Sequence, residues 1–340
     1  MAALTVTPSQ LLWHRLRANN LAERLPAGDL ATAAYAGLQD SAPRAALTAL
    51  HARVDDVGAD SWEHPALAQT WAPRGAVFVV PRDDLAVFAR GILPRDPQLC
   101  RLLEDLGSRA RELVRQSPAA AERHVRRGHI PAQLAHHLRD HPVARLACAI
   151  GGVQIRWDAS RTRLLEGPAL DGDPEAARLE LVRRHLRSLG PSGPAQFMRW
   201  AAVGAGDAQV SFDAIRCELV EVEWPGGSGL LAAADAERLA AATPVSGVRL
   251  LAFGADPVLQ PGHATFADPV HERDALPRWA CSGLAIVDGE VAASWGRTAP
   301  RITFCALRHL GRADRDELGA HALAMPNPQP IREVVWRDRR

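Results

Sequence analysis

The sequence predicts an α+β fold, because segments with helical periodicity are followed by short alternating segments typical of β-hairpins. This order of helices and then a hairpin recurs about three times before residue 245, whereas strand-like segments joined by Gly and Pro turns dominate the last third. We therefore predict about three helix-and-hairpin modules at residues 1–117, 118–170 and 171–245. A small C-terminal β domain, either a sheet or a barrel, with a terminal helix is predicted at residues 246–340.

In the first module, apolar spacing predicts helices over residues 8–16, 29–36 and 43–54, and a run rich in Val and Phe predicts a strand over 75–81. Gly37 marks the end of the second helix and Pro43 lies near the start of the third. Between them, Gln39, Asp40 and Ser41 form a short polar corner. A helix N-terminus favours negative charge, so this corner is a candidate site. The alternative is structural, with Ser41 as an ordinary N-cap and Gln39 as a corner hydrogen bonder.

The second and third modules repeat the order. Helices are predicted over 119–127 and 131–139 with a hairpin from Val153, and then over 175–189 and 195–203 with a hairpin from Val220. A helix-turn-helix followed by a hairpin is the winged-helix order, in which a recognition helix can enter the DNA major groove. We therefore predict tandem winged-helix modules.

The last third predicts strands over 248–253, 284–287, 291–295 and 302–307, with Asp288-Gly289 as a hairpin turn. A long irregular loop is predicted over 261–277, and a helix over 314–325. These strands fit a small sheet or barrel.

The basic residues restrict the possible chemistry. All 40 Lys+Arg residues are arginine, so a Walker P-loop, a pyridoxal-phosphate Schiff base and a glycosylase/lyase that uses an internal lysine are excluded. The net charge is only +1, so binding to nucleic acid would need clustered arginines. Clusters are present near Arg156 and around Arg183 and Arg184, and each is either a phosphate-contacting face or an ordinary solvated one.

No metal, cofactor or membrane segment is predicted. The five cysteines stand far apart without a Cys-x-x-Cys pair, and the pair His137 and His141 lacks the acidic residue of a zinc-protease motif. The sequence has no apolar run of 18 residues and no signal sequence, so we predict a cytoplasmic protein.

Several motifs carry a resemblance to a known family. They are Gly37-Leu38-Gln39 with Pro43-Arg44-Ala45-Ala46-Leu47, Trp71-Ala72-Pro73-Arg74-Gly75, the segment 249–257 and the hairpin 286–297. In these motifs the chain resembles the AlkZ-like and YcaQ-like winged-helix DNA glycosylases, over nearly its whole length. Members excise bulky alkylated purines, and some unhook interstrand crosslinks. The family's catalytic signature is glutamine, an apolar residue, and then glutamine or aspartate, where this chain has Gln39-Asp40-Ser41.

The resemblance implies a monomeric, cofactor-free enzyme that acts on duplex DNA. It places catalysis at Gln39, Asp40 and Ser41, with Gln39 orienting water and a nearby carboxylate stabilising a cationic transition state. The expected DNA contacts are Arg44, Arg74, Arg156, Arg183 and Arg184. His51, on the helix after the corner, is expected either to face Gln39 or to be structural. The alternative function is a catalytically inactive winged-helix DNA-binding protein, such as a lesion sensor or transcriptional regulator.

Overall fold

The computed structural model describes residues 3–40, 44–127, 143–157, 162–254, 256–259, 282–298, 300–327 and 329–337. Within these ranges the helices are α1 (Pro8–Ala18), α2 (Leu30–Ala33), α3 (Ala45–His51), α4 (Leu85–Arg90), α5 (Pro97–Gln116), α6 (Pro118–Arg127), α7 (Val143–Ile150), α8 (Pro174–Leu189), α9 (Pro194–Ala201), α10 (Ala205–Ala214), α11 (Ala236–Ala240) and α12 (Arg312–Leu323). The strands are β1 (Leu4–Thr5), β2 (Leu38–Gln39), β3 (Leu67–Trp71), β4 (Val77–Pro81), β5 (Val153–Trp157), β6 (Thr162–Glu166), β7 (Leu219–Trp224), β8 (Gly227–Ala232), β9 (Val248–Ala252), β10 (Gly283–Val287), β11 (Glu290–Thr298), β12 (Arg301–Ala306) and β13 (Glu333–Arg337).

The strands form four sheets. Three of them are small, with strand orders β2-β4-β3, β5-β6 and β1-β7-β8. The fourth has five strands in the order β13-β12-β11-β10-β9, in which only the β12–β13 pair is parallel. Its two edge strands, β9 and β13, do not pair with each other in the described ranges, so the C-terminal domain is an open sheet and not a closed barrel.

Helix α3 follows the polar corner and packs against the C-terminal sheet. All seven of its residues are buried, and Leu47 and Leu50 lie in one core with Leu250, Ala285 and Phe304 of the five-stranded sheet. The same core includes residues of β2, β3 and β4. A helix packed on every side is rigid, because nearby side chains leave little room for it to shift. The corner is therefore held between the small β2-β4-β3 sheet and the C-terminal domain.

The third module has the predicted winged-helix order, since α8, α9 and α10 precede the antiparallel pair β7–β8. Its sheet is completed by β1, which pairs in parallel with β7 through Leu4 and Val222. Helix α1 shares a core with this sheet and with α11 through Leu11 and Leu239. The N-terminal residues thus pack on a module that lies far away in sequence, and the four predicted segments do not have four separate cores.

The α+β class is confirmed, and the predicted strands of the last third and their Asp288-Gly289 turn are observed. The predicted helix over 29–36 is reduced to α2, whereas α5, β3 and β13 were not predicted. Gly37 follows α2 with φ of +76°, and a Cβ there would lie 2.9 Å from the Phe88 ring, so glycine is required. The predicted helix 131–139 and loop 261–277 lie outside the described residues. None of the described helices combines the length and apolar character needed to cross a membrane.

Candidate active site at the start of helix α3

Gln39 lies at the end of β2, opposite Phe78 of β4, with its side chain partly exposed. Arg74 Nη2 donates a hydrogen bond of 2.5 Å to Gln39 Oε1. The second terminal nitrogen of the guanidinium, Nη1, donates a hydrogen bond of 2.7 Å to the carbonyl oxygen of Trp200 in α9. Arg74 therefore connects the corner to the third module and fixes the direction of the Gln39 carboxamide.

Arg74 reaches Gln39 from the turn that joins β3 to β4. Both Arg74 and the following Gly75 have positive φ, 62° and 60°. A left-handed backbone is unfavourable for arginine, and such conformations persist where the surrounding contacts hold them. Burial lowers the pKa of Arg74. Its guanidinium thus makes short internal hydrogen bonds in a partly dehydrated position.

Asp40 faces away from Gln39 and is completely buried, at 0% exposure. Its Oδ1 accepts a hydrogen bond of 3.0 Å from the Ala46 N–H, and its Oδ2 accepts one of 3.1 Å from Gln69 Nε2. Arg44 Nη1 lies 3.9 Å from Oδ2. Burial raises the pKa of Asp40, although these donors and Arg44 oppose the shift.

The Asp40 carboxylate therefore lies inside the protein, whereas the expected catalytic role would require contact with substrate or water. Asp40 directly follows β2, and its N–H donates to the Val77 carbonyl of β4, so it continues the alternation of the strand and points to the face opposite Gln39. The family signature has an apolar residue at this middle position, which agrees with burial. Here Asp40 replaces it and is stabilised by capping the N-terminus of α3.

Ser41 lies outside the described residues, and Arg44 is the first described residue after the corner. Arg44 has a positive φ of 60°, is 7% exposed, and places its guanidinium carbon 4.0 Å from the centre of the Trp62 ring. Arg156 of β5 approaches the same ring at 5.9 Å and donates a hydrogen bond of 2.6 Å to Glu63. Two of the predicted DNA contacts are therefore brought together around one tryptophan beside the corner.

Two more of the predicted DNA contacts, Arg183 and Arg184, lie on α8 and differ in their exposure to solvent. Arg183 is partly exposed and pairs with both carboxylate oxygens of Glu218, at 2.8 Å and 2.7 Å. Arg184 is 6% exposed and donates to Asp84, Glu180 and the Tyr35 carbonyl. These internal partners engage the Arg184 guanidinium and keep it from solvent.

Three residues near the corner were not predicted. Gln69 donates a hydrogen bond to Asp40, and the Trp62 ring contacts both Arg44 and Arg156. Burial lowers the pKa of Arg297, and the charge of Asp40 opposes that shift. Arg297 ends the 286–297 motif, so the sequence carried a signal for it. Gln69 and Trp62 had none, because only tertiary packing brings them to α3.

His51 ends α3, at the opposite end from the corner, with its ring centre 6.1 Å from that of His321. It therefore does not face Gln39. In the described part of the chain, no group of three or more His, Cys, Asp or Glu side chains is arranged to hold a metal ion.

Comparison with known proteins agrees with this fold. The chain matches the family model described as DNA glycosylase AlkZ-like over residues 32–326. The solved structure of Streptomyces sahachiroi DNA glycosylase AlkZ is similar, with a TM-score of 0.74 and 16% identity, covering 99% of this chain and 100% of that one. At this identity the structural likeness shows a shared fold. No curated protein sequence matches. Since the family match spans most of the sequence and includes the Gln39 corner, the chain belongs to the AlkZ-like DNA glycosylase family.

Proposed function

We propose that the protein is a monofunctional DNA glycosylase that hydrolyses the N-glycosidic bond of alkylated purines in duplex DNA. The observation that carries this proposal is the Gln39 carboxamide, which lies partly exposed at the corner and is held in one direction by Arg74. A polar group fixed before the reaction can stabilise a transition state without the cost of reorganising. Family membership supplies the reaction class.

The chemistry makes modest demands on the protein. An N7-alkylated purine is positively charged, so it leaves with the bonding electron pair as a neutral base while positive charge develops on the sugar. Water then adds to C1′ and loses a proton. Gln39 acts by orienting that water, because a carboxamide both donates and accepts hydrogen bonds but is not a base. The buried Asp40 carboxylate acts indirectly, by fixing the start of α3.

The DNA-binding surface that we propose surrounds the corner. Its phosphate contacts are Arg156, which is half exposed beside Trp62, and Arg74 on the Gln39 side, whereas Arg44 is 7% exposed and packs against the Trp62 ring. Guanidinium groups suit phosphate oxygens, and several such contacts make binding depend steeply on salt. All of these residues come from one chain, so a monomer is sufficient. Crosslinked duplexes, like those carrying simple alkyl adducts, are candidate substrates.

The absence of lysine defines the expected product. Without an internal lysine amine, no Schiff base forms through such a residue and strand cleavage does not follow excision. Excision should therefore leave an intact abasic site that is cut only after alkali or an added lyase. Borohydride should trap no covalent protein–DNA adduct. Efficient strand cleavage without either addition would contradict a monofunctional mechanism.

The second candidate function is DNA binding without excision. Its support is local: Asp40 occupies the signature position that is apolar in the family and is engaged by Ala46, Gln69 and Arg44. The third signature position is Ser41, which has no carboxamide or carboxylate.

Excision from duplexes that contain N7-alkylguanine separates the two functions. For a glycosylase, Gln39→Ala should lower the single-turnover rate about 10²-fold or more, with duplex affinity unchanged. Ser41→Gln and Ser41→Asp restore the family signature and should raise the rate of a weakened enzyme. Ser41→Ala is the matched control and should lose at most about 1 kcal/mol of stability if serine only caps the helix. If the wild type and both restored variants bind duplex but release no base, the protein is a DNA-binding module and the glycosylase proposal fails.

A further inference from the structure

A second group of basic side chains lies at the far end of α3, away from the Gln39 corner. It consists of Arg24 in the loop after α1, His51 at the end of α3, Arg249 of β9 and His321 of α12, and we call it the arginine–histidine cluster. Arg24 Nη2 is 3.4 Å from His321 Nδ1, and the two histidine rings are 6.1 Å apart. Arg249 Nη2 donates at 3.0 Å to the carbonyl of Ala22, two residues before Arg24. The four side chains therefore form one neighbourhood.

This cluster has more hydrogen-bond donors than acceptors. Arg24 Nε, Arg249 Nε and His51 Nε2 are buried and have no hydrogen-bond partner among the described residues. The two Nε–H groups are always donors, because a guanidinium has no acceptor. Unsatisfied buried donors are rare in folded proteins, and a charged one costs more than a neutral one. A ligand with several acceptor atoms would satisfy them.

The local charge also favours an anion. Arg24 Nη1 lies 3.6 Å from Asp55 Oδ1, which is outside hydrogen-bond distance, and the Asp55 side chain is 55% exposed. The exposed Glu317 of α12 acts on Arg249 electrostatically, together with Asp55. No described carboxylate oxygen lies within 3.5 Å of either guanidinium, whereas such contacts are common elsewhere in the chain, as for Arg53 and Asp256 at 2.8 Å.

Both histidines are held neutral at ordinary pH. Burial, with the charge of Arg24, lowers the pKa of His51 and of His321 to about 4. A bound anion would reverse this effect, because opposite charge favours the protonated imidazole. His51 also ends a helix, where the dipole favours a cation.

We propose that the arginine–histidine cluster binds a phosphate-type oxyanion through the Nε–H groups of Arg24 and Arg249, with His51 as a third contact. Guanidinium groups match tetrahedral oxyanions, and the partial exposure of Arg24 provides access. The anion is either a DNA backbone phosphate or free phosphate. The seven buried residues of α3 separate the cluster from the corner by about 10 Å, so the cluster is a site distinct from the corner. The site does not depend on whether Gln39 supports excision.

Titration of the full-length protein with inorganic phosphate and with sulfate tests the proposal. These anions stabilise many proteins without a site, so the diagnostic is the difference between variants. Arg24→Gln and Arg249→Gln should each weaken anion binding about tenfold or more. The matched control is Arg312→Gln, because Arg312 is 95% exposed and paired with Asp316, and it should bind as the wild type does. Equal thermal stabilisation of all four proteins would overturn the proposal.

Proton uptake provides a second readout that does not need the variants to fold well. Sulfate keeps its charge over the pH range of histidine titration, so it should bind more tightly at about pH 5 than at about pH 8. NMR of the histidine rings should show the pKa of His51 and of His321 rising from about 4 when sulfate is bound. Unchanged ring signals at saturating sulfate would also overturn the site.

Duplex binding distinguishes the two sources of the anion. If the ligand is a DNA phosphate, Arg24→Gln and Arg249→Gln weaken duplex binding and phosphate competes with DNA. If it is free phosphate, duplex affinity is the same in both variants. Either result supports the site, provided that the anion titration is positive.

Discussion

Replacement of Arg74 by methionine tests whether this side chain acts through Gln39 or through DNA phosphate. In the structure Arg74 donates to Gln39 Oε1 at 2.5 Å and to the Trp200 carbonyl at 2.7 Å. Methionine keeps the length and apolar stem but removes both hydrogen bonds. If Arg74 only fixes Gln39, the loss should appear in the rate of base excision and not in duplex affinity.

The expected size follows from the hydrogen bond that is lost. A hydrogen bond from a charged donor contributes about 1.5–3 kcal/mol, which corresponds to roughly 10- to 150-fold in rate. Arg74→Met should therefore lower single-turnover excision by that factor, and Gln39→Ala by about 10²- to 10³-fold. The double variant should be no slower than Gln39→Ala alone, because the effect of Arg74 disappears once its acceptor is gone.

The assay is release of base from an N7-alkylguanine duplex at saturating protein, followed by alkaline cleavage of the abasic site. Duplex affinity and urea unfolding of each variant are measured in parallel. Arg74→Lys is the matched control, because its single ammonium group keeps the charge but cannot replace a fork that reaches two acceptors. Multiplicative losses in the double variant, or full activity of Arg74→Lys, would refute the positioning role. Loss of affinity without loss of rate would instead identify Arg74 as a phosphate contact.

Further variants test other charged residues. Burial raises the pKa of Asp40, so the stability that its protonated form contributes is present below about pH 4 and is lost as pH rises through the raised pKa. Asp40→Asn should remove this pH dependence from the free energy of urea unfolding. An unchanged pH profile would contradict the shift. Arg53→Met leaves the fully buried Asp256 without its partner and should cost about 3–5 kcal/mol of unfolding free energy, most of which Asp256→Leu should restore in the double variant. Arg156→Gln should lower the slope of log affinity against log salt concentration for duplex binding by about one phosphate contact, without loss of stability. Arg184→Gln should lower the free energy of unfolding and leave that slope unchanged. The opposite pattern would reverse the roles of the two arginines.

The local features of the fold were present in the sequence. Gly37 lies in the turn between α2 and β2, where its φ is positive and its neighbours leave no room for a Cβ, and a glycine before a polar corner is the expected signal. Asp288-Gly289 has positive φ at both residues and forms the predicted hairpin turn. The Gln39 corner and the motifs around it were sufficient to indicate the family, which the comparison confirms. These signals depend on residues that are close in sequence.

The roles of the charged residues were decided only by the tertiary structure. Arg183 and Arg184 are adjacent, yet the first lies on the outer face of α8 and the second packs against Asp84 and Tyr35. Similarly, Asp40 became a buried cap because Gln69, from another strand, donates to it.

Long-range strand pairing could not be predicted from the sequence either. The two-residue strand β1 pairs with β7, and β13 pairs with β12 across the chain that forms α12. Short strands have little periodicity of their own, and their pairing depends on which edge is left open when the core forms. The sequence by itself therefore determined the turns, several of the helices and the family, whereas the packed core determined which polar groups face solvent. The physical reason is that backbone preference is set by near neighbours, but burial and charge pairing are set by residues that meet only after folding.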